Sequence, residues 1–417
     1  MRFAVLGLLT PAIPAWLPEE LWSGMEVTDM VESARRWVEH IRRHERPDMV
    51  IGLFHSGYES THLTGKWLEN ASGLVAREVE GIDLIFMGHD HLRAVRREST
   101  GILLLNPGAH ARLVAEATVT ADVAPDGRVA ILDVEGDLVQ LDGYAPDPTF
   151  MAEFEPERAH TLQLVGQIIG EAAGEFSGRD VYFGPSAFMQ LIHTLQLEVS
   201  GADISLASPT SFDATLHEGP LRISDMFTLY RYENQLCTLS MTGREIKNHL
   251  EMSYNLWTAV MHSPDDSLLK FSTGNHIKGD YTFLINPSYN FDSAYGIVYE
   301  VDVTQLQGNK IHIISMADGT PFDLDKTYTV AVNAYRANGG GELLTRGAGI
   351  PSDQLKSRII HTTPLDLRYY LMEAIKRKGT ITPTVTHNWK FVPEHLTAKA
   401  IIRDRERLFP QQDISQA

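Results

Sequence analysis

The sequence is poor in the residues that staple a chain, thread it through lipid or bind it to polyanions. Its single cysteine, Cys237, can form no intramolecular disulfide, so covalent stapling contributes nothing and the redox compartment stays open. No apolar run approaches the roughly 18–20 residues of a membrane-spanning helix, because Pro, Asp or Glu breaks each candidate. Cationic side chains are outnumbered, 36 Lys and Arg against 54 Asp and Glu, and the formal charge of −18 repels phosphate backbones and anionic lipid. A general binder of nucleic-acid polymers or membrane surfaces is therefore disfavoured. Internal repeats and low-complexity tracts are absent as well.

What remains is ordinary globular material, 43% hydrophobic and 22% charged over 417 residues. Those proportions exclude disorder, collagen and coiled coil as whole-chain descriptions. The length leaves room for about two to four domains. Arg2 ahead of the apolar Phe3–Leu9 superficially suggests a signal peptide. The stretch is short and runs into TPAIPAW without a small-x-small cleavage site, so it reads as a buried strand leaving a sheet.

The N-terminal third alternates strand and helix. Strands are expected at 3–9, 48–54, 83–87 and 101–106, with helices at 27–43 and 60–79. Short apolar strands separated by helices imply βαβ units and a mostly parallel sheet covered on both faces. Strands near 112–119 and 128–139 flank the turn Pro125-Asp126-Gly127 and are expected to finish that sheet antiparallel. Regular structure stops at the proline- and acid-rich stretch 142–148, which places a boundary there. The expected division is 1–143 as a first domain, 144–180 as a linker with a connecting helix over about 150–175, and 181–392 as a second domain. Within the second domain, helices are expected at 186–199 and 242–255. The tail 393–417 interleaves Arg403, Arg405 and Arg407 with acids and is expected to form a solvated helix.

Chemistry gathers after two strands, in His55-Ser56-Gly57 and in Gly88-His89-Asp90-His91. Ligands collect outside the carboxyl ends of parallel strands, so the three imidazoles can converge on one point. Neutral imidazole suits Zn, Mn or Fe, and a neighbouring glycine lets the backbone come close to an ion. On an extended segment His89 and His91 share a face and can address one or two adjacent ions, while Asp90 points the other way. Seventeen histidines make one chance cluster easy. Two clusters, each just past an apolar strand, argue against chance.

The run from Glu69-Asn70-Ala71 through Val79-Glu80-Gly81-Ile82-Asp83 into Gly88-His89-Asp90-His91 resembles the C-terminal part of a calcineurin-like metallophosphoesterase domain. GADISLASPTSF (201–212), LYRYENQL (229–236) and AYRANGGG (334–341) extend the resemblance to the two-domain family of 5'-nucleotidases and 2',3'-cyclic-nucleotide 2'-phosphodiesterases, over about residues 3–390. The fold this implies is α/β and α+β: a partial metallophosphoesterase sheet sandwich, a connecting helix, then a 5'-nucleotidase-type C-terminal α/β domain. The resemblance implies two divalent metal ions (Mn, Zn, Fe or Mg), with His55 and His89 on one and His91 on the other, about 3.5–4 Å apart and activating a hydroxide. It further implies that Tyr232 and Tyr335 clamp a base, that Arg336 and Asn338 hydrogen-bond ribose or base, and that Gly339, Gly340 and Gly341 admit close backbone approach. Asn234 is expected to fix its own turn.

The sequence also departs from the family pattern. No Asp-x-His, Gly-Asp or Gly-Asn-His element precedes the first strand, so the bridging aspartate, an asparagine ligand and the catalytic histidine are expected upstream of Met1. Half of the dinuclear site is then missing from this chain, which is expected to bind metal weakly and to be inactive alone. Gly274-Asn275-His276 spells the missing tripeptide, but in the wrong chain order and without a preceding core strand. Ser208-Pro209, Tyr230-Arg231-Tyr232 and Tyr335-Arg336-Ala337 resemble the cyclic phosphodiesterase and 3'-nucleotidase branch. The 5'-nucleotidase branch is the alternative, weakened by the missing Arg in 207–212 and the missing Asp after Gly339-Gly340. A non-catalytic nucleotide-binding module is the alternative from another class. The implied partner is a nucleotide or nucleoside, and the implied location of the parent protein is the periplasm or cell surface.

Overall fold

The computed structural model describes residues 1–17, 21–60, 63–64, 66–272 and 284–410. Its contacts divide it into two compact units, Met1–Glu153 and Phe154–Ala417.

In the first unit β1 (Phe3–Leu9) pairs in parallel with β2 (Met49–His55), from Phe3 opposite Met49 to Leu9 opposite His55. Two short strands, β3 (Leu63–Thr64) and β4 (Trp67–Leu68), form a separate small hairpin. Next come β5 (Leu84–Met87), β6 (Arg93–Arg97) and β7 (Leu103–Pro107), and the sheet order is β1-β2-β5-β7-β6. The helix Met30–His40 begins where the Asp29 carboxylate accepts from the N–H groups of Val31 and Glu32, satisfying donors the first turn leaves open. It buries Met30, Val31, Ala34 and Val38 in one cluster with Val75, Ala76, Phe54, Ile85 and Leu104. Each such aliphatic side chain contributes about 1.5–3 kcal/mol when fully removed from water.

Two expectations are corrected here. The helix foreseen over 60–79 is confined to Ser72–Glu78. Polar side chains hold the segment before it in loop form: Asn70 Oδ1 accepts from Gly57 N–H, and Ser60 Oγ accepts from Asn70 N–H. The antiparallel finish to the sheet is β6 on β7, not the two strands after it. Those strands, β8 (Leu113–Val123) and β9 (Val129–Gln140), pair only with each other as a ribbon. Their period-two alternation supplies one apolar face, and Ala115, Ala117, Val119, Ile131 and Val134 lay it on Met49, Leu84, Leu103 and Leu105. Gly136 permits that approach, since a Cβ there would lie 2.8 Å from a Leu105 methyl.

The connecting helix spans Pro148–Val165 rather than reaching residue 175. Beyond Gly166 the β-branched pair Ile168-Ile169 opens the strand Ile168–Ala172, which pairs with Gly219–Arg222 and with Thr380–Ile381. Gly170 fits a tight spot, where a Cβ would meet Ile375 at 2.7 Å and the Gly379 carbonyl at 2.8 Å.

The central sheet of the second unit has the strand order Ser293–Tyr295, Ile204–Ala207, Thr327–Asn333, Gln235–Thr242, Ile359–Asp366. Ile204–Ala207 runs parallel to Thr327–Asn333, and every other neighbouring pair is antiparallel. Ser186 caps the helix Ala187–Ser200, and Thr242 with Glu245 forms a reciprocal capping box for Gly243–Trp257. Trp257 closes the core between parallel rings, Tyr254 at 4.8 Å and Phe291 at 5.4 Å. The tail does form a helix, Glu394–Leu408, but the expectation of a solvated one is corrected. Leu396, Ala400 and Leu408 are buried, and Asp404 accepts from the N–H groups of Leu268 and Leu269 at 2.7 and 2.9 Å. Residues 393–408 thus belong to the second unit. Gly274-Asn275-His276 and residues 411–417 lie outside the described residues.

Candidate functional site

In the first unit His55 ends β2, and His89 stands two residues past β5. Their rings approach to 5.1 Å between centroids, and His89 Nε2 lies 2.9 Å from Glu69 Oε1. Burial, then the charge of His89, lowers the pKa of His55, so its imidazole is neutral at pH 7 and keeps the lone pair a metal requires. The shared face was expected of an extended segment, but His89 and His91 take left-handed φ of 82° and 59°, and the His91 ring lies 6.0 Å from that of His110.

Asp90 proves structural. Its Oδ1 accepts from Asn106 Nδ2 at 2.7 Å and Leu92 N–H at 3.1 Å, and its Oδ2 from Tyr58 N–H at 3.1 Å. Gly57 makes room for it, because a Cβ there would lie 2.3 Å from Asp90 Oδ2. Among the described residues no group of three or more His, Cys, Asp or Glu side chains is arranged to hold a metal. Among the described residues, the donors gathered here are two imidazoles that face each other and the Glu69 carboxylate beside His89.

In the second unit the sheet register gathers the expected nucleotide residues at one end. Leu236 pairs with Asn333, so Tyr232, just before the strand Gln235–Thr242, and Tyr335, just after Thr327–Asn333, belong to the same sheet end. Ala207 pairs with Ser293, which brings Ser208 and the segment Tyr289–Asp292 to that end too. Loops at the carboxyl ends of adjacent parallel strands are where α/β sheets bind ligands.

Tyr335 lies in the short helix Ala334–Ala337, capped by Asn333, whose side chain also bonds the Tyr230 hydroxyl. The Tyr335 ring meets that of Tyr289 edge to face at 6.2 Å. Gly340 presses against the same ring, where a Cβ would come within 2.4 Å of it. Gly339 and Gly341 hold left-handed φ of 93° and 67°, a conformation glycine adopts without penalty. Tyr232 is 38% exposed, and Asn338 is half-buried with no protein hydrogen bond to its side chain among the described residues. Asn234 supports the Tyr230 hydroxyl, and its carbonyl takes the N–H of Leu367.

Arg336 requires a correction. Only 2% exposed, it donates through Nε and Nη2 to both Asp292 oxygens at 2.9 and 2.8 Å. Its remaining N–H groups go to the carbonyls of Tyr289 and Gly340 and to Asn290 Oδ1. A guanidinium has five N–H donors, and all five are spent inside the protein, so none is left for ribose or base. Asp292 also takes His249 Nε2 at 2.8 Å. Burial works to raise the Asp292 pKa, and the charge of Arg336 with the bonds from His249 and Arg336 overcomes it and holds the carboxyl well below the usual range. Burial lowers the pKa of His249, which is therefore neutral. The sequence reading missed Tyr289, Asn290, Asp292 and His249. The one signal was an acid at 292 inside the aromatic run Tyr289–Tyr295, where a charge demands a partner.

Residues 165–346 match the family described as 5'-nucleotidase, C-terminal domain. The trifunctional nucleotide phosphoesterase protein YfkN of Bacillus subtilis is 24% identical over 441 residues, covering 94% of this chain and 28% of that protein. The 2',3'-cyclic-nucleotide 2'-phosphodiesterase/3'-nucleotidase of Haemophilus influenzae is 22% identical, covering 94% of this chain and 65% of its own length. This chain thus spans less than two thirds of either relative. A crystal structure of a Staphylococcus aureus protein described as a 5'-nucleotidase, in complex with alpha-ketoglutarate, superposes with a TM-score of 0.73 at 18% identity. That match covers 93% of this chain and 72% of the other, and it establishes the shared fold.

Proposed function

We propose that this chain is the nucleoside-recognising part of a phosphoesterase that hydrolyses nucleotide phosphoesters, nearer the 2',3'-cyclic-nucleotide 2'-phosphodiesterase/3'-nucleotidase type than the 5'-nucleotidase type. The observation that carries the reading is the loop cluster at one sheet end of the second unit, which combines Tyr232, Tyr335 and Asn338 with a glycine run inside a 5'-nucleotidase C-terminal domain. Flat aromatic faces hold a base without demanding its identity, each stack being worth about 1–3 kcal/mol. Asn338 offers both donor and acceptor to a ribose or base edge. Adenosine titration by calorimetry tests the site. Saturable 1:1 binding supports it, and heats of dilution alone overturn it.

Hydrolysis in the whole enzyme rests in this reading on two divalent ions, with His55, His89 and His91 among their ligands. A second reading, a nucleotide-binding module without turnover, is favoured because among the described residues no group of three or more His, Cys, Asp or Glu side chains is arranged to hold a metal. Hydrolysis of bis-p-nitrophenyl phosphate with added Mn²⁺, measured on this chain and on one extended upstream, separates them. Turnover in the extended chain alone supports a divided site, and turnover in neither supports the binding module. The same likeness to nucleotidases supports a periplasmic or cell-surface location. Among the described residues no helix is long and apolar enough to cross a membrane.

A further inference from the structure

We infer that Asp292 is a positioning residue of the base site, acting through Arg336 on the Tyr335 ring; the inference rests on the reading of that site given above. The carboxylate is 2% exposed and carries three charge-assisted or buried hydrogen bonds, two from Arg336 and one from His249. Such a fork-to-fork pair fixes the plane of the guanidinium as well as its place. With its plane fixed, Arg336 becomes a rivet through separate segments. It holds its own helix, the Tyr289 carbonyl with Asn290 Oδ1, and the Gly340 carbonyl.

Those are the segments that set the Tyr335 ring. Gly340 packs against it so closely that a Cβ would lie 2.4 Å from a ring carbon, and Tyr289 meets it edge-on. The guanidinium itself stands 5.6 Å from the ring centroid. Ser208 Oγ donates to the Tyr289 carbonyl at 2.8 Å, so the loop after Ile204–Ala207 is tied to the same rivet. The group is electrically closed, with one carboxylate, one guanidinium and a neutral imidazole that donates from Nε2. His249 Nδ1 is left buried without a hydrogen bond among the described residues, a cost accepted within this group. An added side chain at position 341 would strike both Asn290 and Arg336, at 2.0 and 2.4 Å, so the loop has one seat. No atom of Asp292 need touch a ligand for this role. A binding site loosened by a fraction of an ångström loses affinity because its shape was prearranged.

The test is a double-mutant cycle on the full chain, with adenosine as probe. Asp292→Asn is expected to weaken binding about tenfold, the scale of one stacked ring. Tyr335→Ala is expected to do the same, and the double variant to lose no more than Tyr335→Ala alone, because Asp292 acts through that ring. Losses that multiply in the double variant would overturn the inference, as would unchanged affinity in a folded Asp292→Asn. Should Asp292→Asn fail to fold, Arg336→Lys keeps the charge and removes the fork, and the same cycle applies. Hydrogen exchange across 339–342 is the ligand-free measurement. Faster exchange there, with the rest of the sheet unchanged, supports the rivet, and unchanged exchange overturns it. If the wild type binds no adenosine, the base-site reading fails by itself, while the exchange result still decides whether Asp292 holds the loop.

Discussion

The polar residues of the two units are organised in opposite ways. In the first unit His55 lies ring to ring with His89, and His91 with His110, at or just past strand ends. In the second, His249, Asp292, Arg336 and Asn290 are threaded into one hydrogen-bonded group, whose His249, Asp292 and Arg336 are each at most 2% exposed. A buried charge must be neutralised locally, so the second group is complete within its own unit and rigid. Imidazoles at or near the surface have no such requirement, because water can solvate them. The difference teaches that burial, more than residue type, decides how tightly a cluster of polar side chains must be cross-bonded.

The sharpest way to break the comparison is to uncouple the buried group. Arg336→Met leaves the Asp292 carboxylate without its cation, and removing one partner of a buried pair costs about 3–5 kcal/mol. Chemical denaturation of the second unit should shift by that amount. A shift within the range of ordinary surface substitutions would mean that water or another cation replaces the guanidinium.

Acid provides the next probe. Burial pushes His193 down to about 3 against the opposing charge of Asp292. It bonds Ser205 and Ser293 and stacks on Tyr295. The unfolded chain takes up a proton near 6.5 that the folded one refuses until about 3, so the unfolded state binds more protons across that window. Stability is therefore fully present above about 6.5 and falls as the pH drops through the window. His193→Gln should flatten the decline in unfolding midpoint between those limits, and an unaltered decline would assign it to other groups.

The aromatic rings sharpen the comparison from the ligand's side. Tyr232→Ala should weaken adenosine binding by about 1–3 kcal/mol, and Tyr232→Phe by much less, because the stacking face survives. Equal affinity in all three proteins would make Tyr232 structural and leave Tyr289 as the aromatic neighbour of Tyr335.

How much of this was legible in the sequence follows the range of the interactions. Apolar strands and capped helices announce themselves locally, so β1, β2, β5 and the helices after Ser186 and Thr242 fall where the pattern puts them. Strand β6 reads Arg-Ala-Val-Arg-Arg and hides its pairing behind charge, because only its partner β7 is apolar. The tail helix looked solvated, since the Arg and acid alternation masks the spacing of Leu396, Ala400 and Leu408. Within the candidate sites, a motif singles out Tyr335 and the glycines, which pack together in one loop cluster. Arg336 was assigned to the ligand because sequence gives a donor its reach but not its partner, and Asp292 lies 44 residues away. The left-handed backbone at His89 and His91 is a conformation that non-glycine positions seldom announce.

The smallest effect is expected where the first unit is least organised. His55 and His89 face each other, with the Glu69 carboxylate 2.9 Å from His89 Nε2, so His55→Ala should remove most of what Mn²⁺ or Zn²⁺ affinity the chain possesses, a weak affinity because one carboxylate and two imidazoles are few donors for a dication. His91 is exposed, and its ring lies beside that of His110. His91→Ala should therefore leave the isotherm unaltered and change stability by no more than about 0.5 kcal/mol, as for an ordinary surface substitution. The same substitution in a chain extended upstream should abolish hydrolysis if added carboxylates draw His91 into an ion's shell. Calorimetry with both metals decides the first part. A tight two-site isotherm in the wild type would show that these three histidines need no further ligands, and the contrast between the two units would then dissolve.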